Sequence, residues 1–214
     1  MTRLLSIVVV LVALCTLPPA CAQFSPRDFF AIAPASTFYT EDEMSEADKT
    51  AIIKGGFRAT TSFSCTAWGV AEEDSQSLTL KYCKDSFVRI RVYPSQEHSP
   101  VVLVESTRAS GRASNTYFYR VSASLKDITP IPEEQLQTIG IEPVTENDLV
   151  TEKDKFKDSE AERAILLLSD DGRLRASVDT WMNPRWENKD LAYDVIFEWT
   201  DERFQKRIIP LHLR

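Results

Sequence analysis

The 214-residue sequence has few of the residues from which most enzyme active sites are built. It contains two histidines, six glycines and four cysteines. The histidines, His98 and His212, are far apart and have no acidic or cysteine residues at ligand spacing, which excludes a histidine-rich metal site. The serine-hydrolase motif Gly-x-Ser-x-Gly is absent, as are the glycine-rich loops that bind phosphates. These absences favour a protein that needs no cofactor and is not an enzyme.

The sequence also lacks an excess of positive charge and a second long apolar run. Its 25 lysines and arginines stand against 32 acidic residues, a net charge of −7, so general nucleic-acid binding is not expected. The longest apolar stretch, residues 4–17, is shorter than the roughly 18 to 20 residues that cross a bilayer as a helix. We therefore expect no transmembrane segment.

Residues 1–22 have the composition of a secretory signal peptide. Arg3 precedes the apolar residues 4–14, and Ala20-Cys21-Ala22 has the small residues of a cleavage site. We predict cleavage before Gln23 and export of the protein to a periplasm or out of the cell. In a competing interpretation Cys21 becomes the lipid-modified first residue of a lipoprotein, but Pro18 stands where such signals usually have a branched apolar residue.

Two cysteines, Cys65 and Cys83, remain after such cleavage, and an exported protein favours their pairing. Residues 63–83 resemble two strands around a polar turn, and Cys65 lies opposite Cys83 if Asp74 is the centre of that turn. The sequence therefore predicts a cross-strand disulfide. The same register pairs four apolar residues on the other face of the hairpin: Trp68 with Leu80 and Val70 with Leu78.

Helix signals are confined to the beginning of the mature chain and to one short segment further on. Ser25 and Pro26 are typical of a helix start, and the residues buried by that helix would be Phe29, Phe30 and Ile32. A capping box at residues 45–48 starts a second helix, which ends at Gly55. Its apolar face would consist of Ala47, Ala51 and Ile52. Residues 132–139 form a third, short candidate helix that ends at Gly140.

From residue 57 onward the apolar residues alternate with a period of two, which indicates strands. The predicted runs lie near 57–70, 77–83, 86–93, 100–107, 115–122, 162–169, 173–181, 191–199 and 203–209. Short turns between successive runs favour antiparallel hairpins. The predicted fold is therefore mainly β (α+β): an antiparallel meander or a two-sheet β-sandwich of about nine strands with short N-terminal helices.

The predicted organisation has three parts. Residues 1–22 are the cleaved signal peptide, residues 23–56 a helical segment packed on the sheet, and residues 57–214 a single β-rich domain. A long acidic connection interrupts this domain near 140–162. We assign the strands on both sides to one domain, because the residues after the connection are too few for an independent core.

Two strands are predicted to place arginines next to aromatic residues on an outward face. Arg89 and Arg91 alternate with buried residues in one run, and Arg173 and Arg175 do so in another. On an acidic protein such a basic patch would fit an acidic protein surface or an anionic glycan. Alternatively, the arginines pair with acids on adjacent strands and cover apolar surface with their stems.

Tryptophans in the polar connection 180–190 are the other unusual feature. Exposed Trp181 and Trp186 would suit stacking on a sugar or anchoring of a partner. In the alternative interpretation Trp186 folds back onto the core. Trp199 alternates with polar residues in a strand, as Trp68 does, and both are predicted to be core residues.

These features predict an exported binding protein that binds an envelope component or inhibits an extracellular enzyme. Its partner would be a protein or a glycan, and the predicted binding residues are Arg89, Arg91, Arg173, Arg175, Trp181 and Trp186. Two other functions stay open. A secreted hydrolase acting on glycans would need two carboxylates converging in a pocket beside Trp181 or Trp186. A structural subunit of an envelope assembly would need a large apolar patch or an open sheet edge.

Overall fold

The computed structural model describes residues 24–38, 44–60, 67–82, 86–95, 99–107, 114–178, 183–187 and 189–211. In these ranges the chain forms a six-stranded and a four-stranded antiparallel sheet with two short α-helices near the N-terminus. The mainly β fold predicted from the sequence is confirmed. The leader, Cys65, Cys83 and Trp181 lie outside the described residues. None of the described helices is long and apolar enough to cross a membrane.

The α-helices are α1 (Pro26–Ile32) and α2 (Glu46–Lys54), and each begins at a capping box. The Ser25 hydroxyl accepts from the Asp28 amide at 3.3 Å, and the Asp28 carboxylate accepts from the Ser25 amide at 2.8 Å. Phe29 and Phe30 of α1 are fully buried. The predicted apolar face of α2 is wrong in part, because Ile52 is buried whereas Ala47 and Ala51 are exposed.

The six-stranded sheet is a meander in which each strand pairs with the next. Residues 61–66 of the predicted run 57–70 lie outside the described residues. Of the others, only Gly69 and Val70 are in β1, and Ala59 makes a single isolated bridge to Val70. One strand, β6, was not among the predicted runs because it contains Pro130, which is tolerated only at a sheet edge. The strands are β1 (Gly69–Glu73), β2 (Ser77–Tyr82), β3 (Ser86–Tyr93), β4 (Val101–Thr107), β5 (Ser114–Val121) and β6 (Ile128–Ile131).

The predicted β1–β2 register is wrong by two positions. Val70 pairs with Leu80 rather than with Leu78, and the ladder is irregular between Val70 and Glu72. The Asp74 carboxylate accepts from the amides of Gln76 and Ser77 at 2.7 and 2.8 Å. Asp74 is therefore the first residue of the turn and not its central residue. At Val70 the shift is even, so this residue keeps its predicted buried face. Cys65 and Cys83 lie outside the described residues. The disulfide stays a prediction.

The four-stranded sheet has the order β10-β9-β8-β7 and is joined to the first sheet by the acidic connection. This connection contains short 3-10 helices. The helix Glu133–Ile139 ends at Gly140, as predicted, and Gly140 is in the left-handed conformation. The strands are β7 (Ile165–Leu168), β8 (Leu174–Ser177), β9 (Tyr193–Thr200) and β10 (Arg203–Pro210). The 3-10 helices are η1 (Ala35–Thr37), η2 (Glu133–Ile139), η3 (Glu146–Asp148), η4 (Glu152–Asp154) and η5 (Pro184–Trp186).

The six-stranded sheet is the middle layer of three. One of its faces, with Leu80 and Ile90, packs against Phe29 and Phe30 of α1. The opposite face packs on the four-stranded sheet in a second apolar cluster that includes Tyr93, Leu103, Phe118, Leu174, Phe197 and Phe204. Every residue of β4 is buried, because this strand has a layer on both sides. Trp68 is buried in the first cluster, and Trp199 is half-buried against the second.

Candidate functional site

The face of β3 that was predicted to point to solvent faces the second sheet. Tyr93 on this face is only 3% exposed, and the side chain of Arg89 is 21% exposed. The outward placement of Arg89 and Arg91 is therefore wrong. Alternation along a strand separates a polar from an apolar face, but it does not say whether another layer covers the polar one.

Arg89 makes three side-chain contacts, and two of them join the two sheets. Its Nε donates to Glu105 of β4 at 2.7 Å, and Nη1 donates to Asp170 in the β7–β8 turn at 3.0 Å. A third donor, Nη2, reaches the Leu168 carbonyl oxygen. Glu105 is 2% exposed; burial raises its pKa, and the Arg89 guanidinium opposes that rise.

The outer edge of β7 is held by a row of polar side chains on the first sheet. Arg89, Glu105 and Thr116 are direct cross-strand neighbours on β3, β4 and β5. Glu105 accepts from the Leu168 amide at 3.4 Å, Arg89 donates to the Leu168 carbonyl, and the Thr116 hydroxyl donates to the Leu166 carbonyl. This polar row, which consists of Arg89, Glu105 and Thr116, therefore supplies partners for the backbone of an edge strand.

Arg91 lies further along the same interface, under the β7–β8 turn. Its Nη2 donates to the Gln76 side chain at 3.0 Å, and its guanidinium lies 5.9 Å from the centre of the Tyr93 ring. Gly172 has a φ of 82°, and a Cβ at this position would lie 2.1 Å from the Arg91 Cζ. The Tyr93 hydroxyl donates to the Gly172 carbonyl oxygen at 3.0 Å. The positive φ favours glycine here, and a Cβ would also displace the Arg91 guanidinium.

Arg173 and Arg175 are on the outer face of the second sheet, with side chains 43% and 47% exposed. Arg173 pairs with Asp171 and, at 3.3 Å, with Glu198, and Arg175 pairs with Asp194 at 3.2 Å. Because Arg89 and Arg91 lie between the sheets, the four arginines do not form one surface. Their role in binding stays a prediction, whereas their pairing with nearby acids matches the alternative interpretation.

Trp186 is 5% exposed, so it is part of the core, as in the alternative interpretation. Its Nε1 donates to the buried Glu146 at 2.9 Å. Glu146 also accepts from the Glu162 amide at 2.8 Å and pairs with Arg185 at 3.0 Å. The carboxylates of Glu146 and Glu162 do converge beside Trp186, but both are ion-paired with Arg185. Among the described residues no group of three or more metal-ligating side chains is found.

The cleft that sequence reasoning missed lies between β5 and β7 and has a volume of about 540 Å³. Its walls come from β5, β6, η2, residues 141–144 and the beginning of β7. Tyr117 and Ile165, which line it, are each 45% exposed. The buried part of the lining is apolar and includes Phe118, Ile131, Ile141 and Val144.

Charged residues at the cleft are mostly acidic. They are Glu133, Glu134 and Glu142, and Arg163 is the one cation among the described residues that line the cleft. Arg163 pairs with Glu133. Glu134 and Glu142 are exposed, and neither has an ion-pair partner among the described residues. The sequence carried one signal for this site: Pro132, which follows β6 directly and has no amide hydrogen with which to continue the pairing to β5.

No protein-family model matches the chain, and no curated protein matches it. A solved structure with a similar fold is that of a domain of an uncharacterized protein from Porphyromonas gingivalis W83. It is 14% identical with a TM-score of 0.50, and the match covers 85% of this chain and 96% of that one. At this identity the likeness shows the fold alone.

Proposed function

We propose that this chain is an exported, non-enzymatic binding protein whose ligand occupies the cleft between β5 and β7. The observation that carries the proposal is an apolar cleft of about 540 Å³ with Tyr117 and Ile165 exposed at it. Ligand sites typically have volumes of about 300 to 1,000 Å³, mostly apolar walls and a few polar groups. The signal peptide predicted from residues 1–22 supports export.

The acids beside Trp186 favour binding over hydrolysis. A glycosidase needs one carboxylate that donates a proton and a second that attacks or activates water. Glu146 is 2% exposed and is hydrogen-bonded to Trp186 and to the Glu162 amide, besides its pairing with Arg185. These contacts hold Glu146 in a structural role, in which it ties the acidic connection to η5.

The outermost described strands β1, β6, β7 and β10 favour binding over a role in assembly, because each has a feature that hinders further strand pairing. The stretch of β5 beyond the end of β6 has no such feature. β1 has an irregular ladder after Val70, and β6 contains Pro130. β7 is held by the polar row. At β10, a Cβ on Gly140 would lie 2.1 Å from the Phe204 carbonyl oxygen, so η2 closely approaches this edge.

Titration with Nile red, a neutral dye that becomes fluorescent in apolar surroundings, tests the proposed site. The double variant Tyr117→Ser/Ile165→Ser removes the two exposed apolar side chains of the cleft, so we expect dye binding to fall on the order of tenfold. The matched control is Ile208→Ser, which removes a 52% exposed side chain on β10. Equal binding by the wild type and the double variant, or an equal loss in the control, would place the dye elsewhere and contradict the proposal.

A further inference from the structure

We propose that the ligand of the cleft is an extended basic peptide, which binds as an added strand along β5 next to the end of β6. This inference rests on the proposed function and names the class of ligand. Three features of the described structure carry it: an uncovered stretch of the β5 edge, the direction of the backbone groups there, and the charge around the cleft.

The edge of β5 is covered by β6 along only half of its length. β6 pairs with Phe118 to Val121, whereas β5 begins at Ser114. If the pairing continued in this register, Tyr117 would lie opposite Pro132. Pro132 has no amide hydrogen and leads into η2. No described strand pairs with residues 115–117 on this side. The edge of β5 at residues 115–117, beyond the end of β6, is therefore open to an added strand.

The backbone of Thr116 points toward this open row. Along a strand, successive residues direct their amide and carbonyl groups to opposite neighbours. The Val121 amide donates to Pro100, on the β4 side, and the next amide, that of Ser122, donates to Asp127, on the β6 side. By the same alternation the amide and carbonyl of Thr116 point to the side of β6, where that strand has ended. Extended peptides bind such edges through main-chain hydrogen bonds.

The lining of the cleft indicates which peptide would fit. Ile131, Ile141 and Val144 offer apolar surface to one side chain of an added strand. Glu134 and Glu142 stand exposed nearby without an ion-pair partner among the described residues, while Arg163 is engaged by Glu133. An apolar residue flanked by lysine or arginine complements this arrangement, and an acidic peptide does not.

The test uses the mature full-length chain and fluorescence anisotropy with labelled, acetylated Lys-Val-Phe-Val-Lys amide. N-methylation removes one backbone donor and leaves charge and side chains unchanged, so we methylate each of the three central residues in turn. Strand addition predicts a period of two: methylation on the sheet side weakens binding on the order of tenfold, and methylation on the solvent side has little effect. Equal affinities of all the methylated peptides would overturn strand addition.

The charge assignment is tested with a second probe, Glu-Val-Phe-Val-Glu, and with the variant Glu134→Gln/Glu142→Gln. We expect the wild type to bind the lysine peptide several-fold more tightly, and the variant to lose both that preference and its salt dependence. Glu187→Gln, at an exposed acid near η5, is the matched control and should keep the preference. If the variant keeps it, or the control loses it, the basic-peptide assignment is wrong.

Nile red binding separates the two proposals. If the dye still requires Tyr117 and Ile165 but the peptides show neither the methylation pattern nor the charge preference, the peptide inference fails and the cleft remains a binding site. If dye binding is also indifferent to Tyr117 and Ile165, the proposed function fails with it.

Discussion

The two faces of the six-stranded sheet are both buried, but different chemistry covers them. On the helix side the inward residues of β2, β3 and β4 are mostly aliphatic, among them Leu80, Ile90 and Val104, and the buried polar residues there are uncharged serines, Ser86 and Ser106. On the other side, Arg89, Glu105 and Thr116 lie beside the aromatic and aliphatic residues of the second cluster. Burial of a strand face therefore does not by itself require an apolar sequence.

The layer that covers each face explains the difference. A helix satisfies its own backbone hydrogen bonds and needs only apolar surface beneath it. An edge strand presents unpaired amides and carbonyls, which cost free energy if they are buried without partners. The polar row provides partners for Leu168 and Leu166 of β7, so polar residues are what this second layer requires.

The largest expected effect is on the helix side. Phe30 is fully buried and lies 4.9 Å from Phe38 between ring centres. Phe30→Ala should lower the free energy of unfolding by about 3 to 5 kcal/mol, because it leaves a cavity between α1 and the sheet. Denaturant unfolding measures this loss. Ile53→Ala, on the exposed side of α2, serves as the control, and a similar loss there would contradict the burial pattern.

A smaller loss is expected in the polar row. Arg89→Ala leaves Glu105 buried without its cation and should cost about 3 kcal/mol. The double variant Arg89→Met/Glu105→Leu removes the buried charge but still leaves the Leu168 amide and carbonyl without partners, so about 1 to 3 kcal/mol of the loss should remain. Full stability of the double variant would show that support of the β7 backbone is not the role of these residues.

Thr116→Val should cost about 1 kcal/mol, since valine has nearly the same shape but cannot donate to the Leu166 carbonyl. Thr129→Val on β6 is the matched control, because Thr129 is exposed. Its expected change stays within about 0.5 kcal/mol. Thermal unfolding of the two variants, measured side by side, distinguishes loss of the hydrogen bond to β7 from a stability change that any threonine-to-valine substitution in this sheet would cause.

The smallest effect is a pH dependence of Glu105→Gln. Burial raises the pKa of Glu105 in the folded state, so ionisation of this residue reduces stability as the pH rises through that pKa. Glutamine does not ionise, so the variant does not lose stability in this way. Its stability relative to the wild type should therefore improve between acidic and neutral pH. A change of the opposite sign would mean that the attraction to Arg89 outweighs burial.

Local signals predicted most of the elements correctly. The helix start at Ser25, the capping box of α2, the end of η2 at Gly140 and eight of the ten described strands follow from residues a few positions apart. The predicted β1–β2 register was wrong because the Asp74 side chain accepts hydrogen bonds from turn amides. The sequence of the polar turn does not show which of its residues makes these bonds. β6 was missed because it contains Pro130, and a strand with a proline is tolerated only at the edge of a sheet. Whether a strand lies at an edge depends on the tertiary structure, which the local sequence does not show.

The sequence by itself determined the alternating strands, the turns between them and the helix ends, because each depends on backbone preferences and contacts within about four residues. The tertiary structure alone decided which polar face is covered. Arg89 and Arg91 alternate with core residues just as surface arginines would, yet β7 and its turn lie over them. It also decided where a cleft opens, because that depends on β6 ending before β5 does and on how close β7 approaches, which no local pattern encodes.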